Sequence, residues 1–270
     1  FSPNDVPGLY DAFFADQSKF EKLYKKYEKD NSVRKQQINA RELFALFMKE
    51  RANTGRIYLQ NVDHCNTHGA FDPVDAPIKQ SNLCMEITLP TKPLYSVQDN
   101  EGEVALCTLS AVNLGAIESL DELEDITDII VRSLDSLLDY QDYPLKSAEL
   151  TSNNRRTLGI GVTNLAYYLA KNDAKYSDGS GNDLIHRTFE ALQYYSLKAS
   201  NKIAQEFGPC PLFSETKYAK GIMPIDSYKK DIDDFCSTKL ELDWDTLRKN
   251  IKEKGLRNST LTALMPCESS

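Results

Sequence analysis

The chain has 270 residues, 41% hydrophobic and 27% charged, a composition that can bury a real core. Its net charge of -8 argues against a binder of nucleic-acid backbone, which usually carries a basic surplus, but leaves room for one nucleotide held by a few donors. No run approaches the roughly 18 apolar residues a membrane helix needs, and the first residues resemble neither a signal peptide nor a basic transit peptide.

Taken in chain order, residues 8–29 read as an amphipathic helix, with Leu9, Phe13, Phe20, Leu23, Tyr24 and Tyr27 at helical spacing. A second helix is expected over 38–52, its apolar face built from Ile38, Leu43, Phe44, Leu46 and Phe47 and its end marked by Gly55. Residues 56–59 suggest a short strand, and 60–80, rich in Asn, Asp, Gly and Pro, a loop. Strands are expected over 82–89 and 103–109, joined by the turn-rich 90–102. Leu123, Ile126, Ile130, Leu134, Leu137 and Leu138 mark a helix over 120–140. A strand over 157–162 leads into a helix through Tyr168, and Ser180-Gly181-Asn182 opens a long helix to about residue 207. Asp243 caps a helix over 244–252, and 259–265 is a final apolar strand. Strands alternating with helices imply an α/β architecture with largely parallel strands, and no repeat or linker divides the chain. With no initiator Met before Phe1 and an abrupt stop after an apolar run, both ends read as cuts in a longer chain.

Six cysteines, Cys65, Cys84, Cys107, Cys210, Cys236 and Cys267, form no CxxC pair and no small disulfide framework. Free thiols in a reducing cytosol are the default, so a disulfide here would be catalytic rather than structural. The segment Ser81-Asn82-Leu83-Cys84-Met85-Glu86-Ile87 draws attention. As a strand it places Asn82, Cys84 and Glu86 on one face and Leu83, Met85 and Ile87 on the other. An amide, a thiol and a carboxylate side by side suit chemistry on a vicinal diol, the amide holding a hydroxyl and the carboxylate taking its proton. Alternation alone favours the plainer reading of an edge strand with a solvated Asn and Glu and a core Cys.

Asn82-Leu83-Cys84-Met85-Glu86 resembles the Asn-x-Cys-x-Glu active-site segment of aerobic (class I) ribonucleotide reductase large subunits. So do, in order along the whole chain, Asp5-Val6-Pro7-Gly8-Leu9-Tyr10, Thr54-Gly55-Arg56-Ile57-Tyr58, Asn61-Val62-Asp63-His64-Cys65-Asn66, Ala105-Leu106-Cys107-Thr108-Leu109, Asn113-Leu114-Gly115, Arg155-Arg156-Thr157-Leu158-Gly159-Ile160-Gly161 and Leu256-Arg257-Asn258-Ser259. The resemblance implies a ten-stranded α/β barrel of the ribonucleotide reductase type. Residues 1–270 would be part of it, the N-terminal regulatory region and the C-terminal portion lying outside the chain. It implies that Cys84 becomes a thiyl radical that takes the 3′ hydrogen of a ribose, that Glu86 accepts the 3′-hydroxyl proton, and that Asn82 holds the sugar hydroxyls. Cys107 would be one of two cysteines that reduce the 2′ position and end as a disulfide, which requires Cα atoms roughly 4.4 to 6.8 Å apart. Its partner, the tyrosine relay and the tail cysteines that re-reduce the disulfide would lie outside this chain, so the piece alone is not expected to turn over.

Pro266-Cys267-Glu268-Ser269-Ser270 is similar to the family loop, Pro-x-Glu-Ser/Thr-Ser, that cradles the substrate diphosphate. A strand followed by Pro and then Glu and two Ser also has the character of a helix N-terminus, where free N–H groups bind anions; an ordinary helix cap is the plainer alternative. The implied substrate is a ribonucleoside diphosphate and the implied location cytoplasmic. The implied partners are a metal-containing small subunit that supplies the radical, the remaining large-subunit segments, a second large subunit, and a thioredoxin or glutaredoxin. No cofactor is expected in this chain, and ATP and dNTP effectors would bind the full subunit. His64, Cys65 and His68 read as a polar loop rather than a zinc site, which needs four ligands. Gly159-Ile160-Gly161 lacks the third glycine of a dinucleotide fingerprint and reads as tight packing of a strand onto a helix. Arg155 and Arg156 could contact phosphate or be salt-bridged. The rivals are a glycyl-radical reductase, whose glycine motif is not in view, and a non-catalytic assembly module.

Overall fold

In the computed structural model, which describes residues 1–267, the helices are α1 (Leu9–Ala15), α2 (Gln17–Lys29), α3 (Ala40–Thr54), α4 (Val62–His68), α5 (Glu122–Tyr140), α6 (Lys146–Arg155), α7 (Leu165–Lys171), α8 (Asn182–Phe207), α9 (Pro224–Ser227) and α10 (Trp244–Lys254). Strand β1 (Leu109–Asn113) precedes α5 and β2 (Gly159–Thr163) follows α6. The long periodic segments fold as their spacing predicts. Leu123, Leu134 and Leu138 of α5 are buried against Leu192, Leu197 and Ile203 of α8, although Leu137 faces solvent. Asp243 caps α10 by accepting from the Thr246 N–H at 3.0 Å. Among the described residues no helix is long and apolar enough to cross a membrane.

Several local expectations change. The helix expected over 8–29 is two helices, because Asp16 adopts an extended backbone and its carboxylate caps Lys19 N at 2.9 Å, which starts α2 afresh. Helix α3 ends at Gly55, φ +65°, as expected, yet Leu43, Phe44 and Leu46 of its apolar face stay exposed. Residues 56–59 join no ladder, whereas the expected loop 60–80 contains α4. Asn66 on that helix is buried because its side chain donates to Ile78 O at 2.9 Å and accepts from Ile78 N at 2.8 Å, as a strand partner would.

Strands β1 and β2 are parallel, in register from Leu109↔Gly159 to Asn113↔Thr163, as the α/β reading requires. The expected last strand is reduced to a parallel bridge between Ile160 and Thr262, with Ile160 N donating to Leu261 O at 2.7 Å. Strand β2 therefore lies between β1 and the 260–263 segment. Ile160 and Val162 on one face enter the helix-packed core. The other face carries Gly159 and Gly161. A Cβ at 159 would sit 2.6 Å from Leu109 Cδ2, and one at 161 would sit 2.5 Å from Met265 Sδ and 2.6 Å from Ala263 O. These glycines thus admit the 263–265 chain rather than a helix. Among the described residues the sheet has these two strands and does not close, so the ten strands expected of the barrel are not seen here.

Candidate active site

The segment expected to be a strand over 82–89 is instead a tight turn. Ser81 and Thr88 form an antiparallel bridge, and Asn82 N donates to Ile87 O at 3.1 Å. The Asn82 side chain closes the turn by accepting from Ile87 N at 3.1 Å, and Met85 takes a left-handed backbone, φ +69°. Side chains in such a turn do not alternate between two faces, so the strand argument for one shared face fails. The residues nevertheless gather in another way, around Cys107.

Cys107 lies on an extended stretch before β1; the strand expected over 103–109 begins only at Leu109. Cys107 is exposed, as Cys84 is, yet the atoms that partly cover its sulfur push the thiol above the ordinary value of 9.0; Asn82 pulls it back, and the charges of Glu86 and Cys84 push it up again. Each of the other three expected catalytic residues thus acts on the Cys107 thiol. Asn82 and Cys107 line a cavity of about 90 Å³ together with Gln80, Thr91 and Ala105. Glu86 is half-buried and faces a second cavity of about 340 Å³ with Phe189, Gln193 and Thr262. Its Oε2 is enclosed and has no hydrogen-bond partner, which leaves it open to a donor entering the cavity. Cys84 lies exposed at the tip of the turn and lines neither cavity. A larger cavity of about 730 Å³, bounded by Ile185, Phe189, Phe235 and Trp244, contains none of the four.

Of the expected diphosphate loop, Pro266 is exposed and Cys267 is half-buried with its thiol donating to Val162 O at 3.2 Å. Glu268, Ser269 and Ser270 lie outside the described residues.

Arg155 and Arg156 are buried and both are salt-bridged, which settles the alternative left open by the sequence. Arg155, 1% exposed, donates from Nε to Glu103 at 2.7 Å and from Nη2 to Glu215 at 2.8 Å. Arg156 donates to Asp135 at 2.7 Å and to Asp139 at 2.8 Å. Asp135 also accepts from Arg257 at 3.2 Å and from Asn258 at 2.9 Å. Sequence reading missed Glu103, Glu215 and Asp135; the spacing of Asp135 and Asp139, one helical turn apart on α5, was the available signal.

Burial pushes the Glu103 carboxyl up, but the hydrogen bonds and charges of Arg155 and Lys92 outweigh it and hold the group below the ordinary 4.5. The unfolded carboxyl takes its proton first on acidification. The contribution of this group is whole above pH 4.5 and is lost as pH falls through the lower folded value. Unfolding temperatures measured from about pH 7 to about pH 3 should thus fall on the acid side, and Glu103→Gln should flatten that limb. An identical acid limb in the variant would contradict the assignment.

The family described as "Ribonucleotide reductase, barrel domain" matches residues 1–270. The chain is 67% identical over 270 residues to the ribonucleoside-diphosphate reductase subunit alpha of Haemophilus influenzae, and 67% identical over the same length to ribonucleoside-diphosphate reductase 1 subunit alpha of Escherichia coli. It is 48% identical over 273 residues to the subunit alpha of Enterobacteria phage T4. Each match covers 100% of this chain but only 36%, 36% and 35% of the relative, so the chain spans about a third of their length. The match to that family over residues 1–270 makes the chain a member of the ribonucleotide reductase barrel-domain family.

Proposed function

We propose that this chain forms part of the catalytic barrel of a class I ribonucleoside-diphosphate reductase large subunit, and that it reduces ribonucleoside diphosphates to deoxyribonucleoside diphosphates within that larger subunit. The observation that carries this is the gathering of Asn82, Cys84 and Glu86 about Cys107, with Glu86 Oε2 enclosed and unpartnered. Cys84, once oxidised to a thiyl by a radical relayed from a metal-containing small subunit, takes the 3′ hydrogen and becomes a thiol. Glu86 accepts the 3′-hydroxyl proton, and Asn82 holds the sugar hydroxyls. The 2′-hydroxyl leaves as water while Cys107 and a second thiol give two electrons and two protons and become a disulfide. Cys84 then returns the hydrogen to the 3′ carbon, and Glu86 returns its proton to the 3′ oxygen. A thioredoxin or glutaredoxin reduces the disulfide. Further segments of the subunit complete ten strands and enclose Cys84, a second subunit completes the dimer, ATP and dNTP effectors bind outside this stretch, and the Pro266–Ser270 loop receives the diphosphate. The setting is the cytoplasm.

The exposure of Cys84 and the open sheet favour a second reading, a non-catalytic assembly module. The test is a graft. The chain replaces the matching segment of the Haemophilus influenzae subunit, and deoxynucleotide formation is measured with the small subunit and a dithiol. Turnover is expected, and Glu86→Gln in the graft should slow it by about 10²- to 10⁴-fold with substrate affinity kept, as losing a general base does. A folded graft without turnover, or a variant as fast as its parent, would overturn the proposal.

A further inference from the structure

Asn82, Cys84 and Glu86 lie in the turn closed by the Ser81–Thr88 bridge, and the chain runs on from Thr88 to Lys92. At the base, Lys92 and Glu103 pair through both backbone bonds, N to O at 3.2 and 3.3 Å, and close the 93–102 loop, from which residues 103–107 return with Cys107. Away from that loop, Asn82 and Cys107 line the same small cavity. Glu103 and Cys107 are four residues apart, about 13 Å of extended chain, so a shift at the base reaches the sulfur.

The base is held from beneath. Arg155 grips Glu103 with two bonds, Nε at 2.7 Å and Nη2 at 3.2 Å, while Lys92 takes the same carboxylate from outside at 2.6 Å. Thr151 on α6 accepts from Val104 N at 3.1 Å, and Gly159 N donates to Thr108 O at 2.9 Å. The Arg155 guanidinium is anchored in turn by Glu215 and lies 5.6 Å over the Phe71 ring. A buried ion pair of this kind stabilises little more than apolar side chains of the same volume would, because two charges lose their water. What it does supply is direction, since a planar guanidinium accepts a carboxylate only in a forked geometry.

We propose that the Glu103–Arg155 ion pair is a positioning device that sets the distance between Cys107 and the turn bearing Asn82, Cys84 and Glu86. With about 13 Å of extended chain between Glu103 and Cys107, the pair acts on the thiol through the backbone. The inference rests on Cys107 being the reducing thiol, but its geometry can be read without any turnover.

The experiment measures alkylation of Cys107 by iodoacetamide against pH in the grafted full-length subunit, by peptide mass mapping, for the parent, Glu103→Gln and Lys92→Met. Glu103→Gln should let the exposed Cys107 stretch move off Asn82 and the 82–87 turn. The Cys107 midpoint then moves down toward 9.0, while Cys210, 1% exposed and pushed up to about 12 by burial, stays unreactive. In turnover, kcat should fall about tenfold to a hundredfold at an unchanged KM, the scale of a misplacement of about 1 Å. A merely structural loss would unmask Cys210 as well. If Glu103→Gln does not fold, Lys92→Met, which touches the same carboxylate from its exposed side, should give a smaller shift in the same direction. A Cys107 profile that does not move in a folded variant overturns the inference. A shifted profile in a graft that makes no deoxynucleotide leaves the positioning intact and removes the proposed reaction instead.

Discussion

Cys84→Ser in the grafted subunit should lower deoxynucleotide formation by at least about 10⁴-fold, the scale of losing an essential nucleophile, while substrate affinity stays within about twofold. The asymmetry follows from chemistry. A hydroxyl is smaller than a thiol, and at an exposed position it leaves the turn around Asn82 and Met85 as it is. Its O–H bond is too strong for the group to serve as a reversible one-electron carrier, so no hydrogen leaves the 3′ carbon. Equilibrium binding of a ribonucleoside diphosphate and turnover, measured on the same preparation, separate the two quantities. An undiminished rate would favour the assembly module, and joint loss of binding and rate would show that the substitution had disturbed the fold.

The second large effect is on stability. Arg156→Met should cost about 3–5 kcal/mol, the cost of breaking a buried pair and leaving its partner charged. Arg156 is 3% exposed and ends α6 with φ +48°. It donates to the carboxylates of Asp135 and Asp139 and to the backbone oxygen of Asp135 at 2.7 Å. Without it, Asp135 keeps only Arg257 and Asn258, and the junction between α5, β2 and the 257–258 segment loses its central cation. Urea unfolding of the grafted subunit and its variant measures the loss. A difference below about 1 kcal/mol, within the range of an exposed pair, would show that Asp135 is satisfied without Arg156.

Helices α5, α8 and α10 were legible because each is written locally, by an apolar stripe or a side-chain cap within four residues of the start. The same local reading failed at 82–87, where alternation of polar and apolar residues looked like a strand. Two single-residue events decide that segment: the Asn82 side chain occupies the Ile87 N–H, and Met85 turns left-handed. Neither leaves a periodic mark. Helix α4 was hidden because Asn66, a loop-like residue by composition, is satisfied by Ile78 twelve residues away. The partners of Arg155 lie 52 and 60 residues distant, beyond any local pattern. Motif resemblance singled out Asn82, Cys84, Glu86 and Cys107; Asn82 and Cys107 line one cavity, Glu86 another and Cys84 neither, so the strand face that the alternation suggested does not form.

The bare face of β2 has a consequence for anyone seeking to alter this protein. With only hydrogen at positions 159 and 161, the first part of the middle strand contributes spacing and no functional groups to that side; a side chain at 159 would press on both Leu109 and Ala263, and one at 161 on Ala263 and Met265. New chemistry or altered substrate choice therefore has to be built from the flanks, on the hairpin of Cys107 and on the stretch running through Thr262 to Cys267.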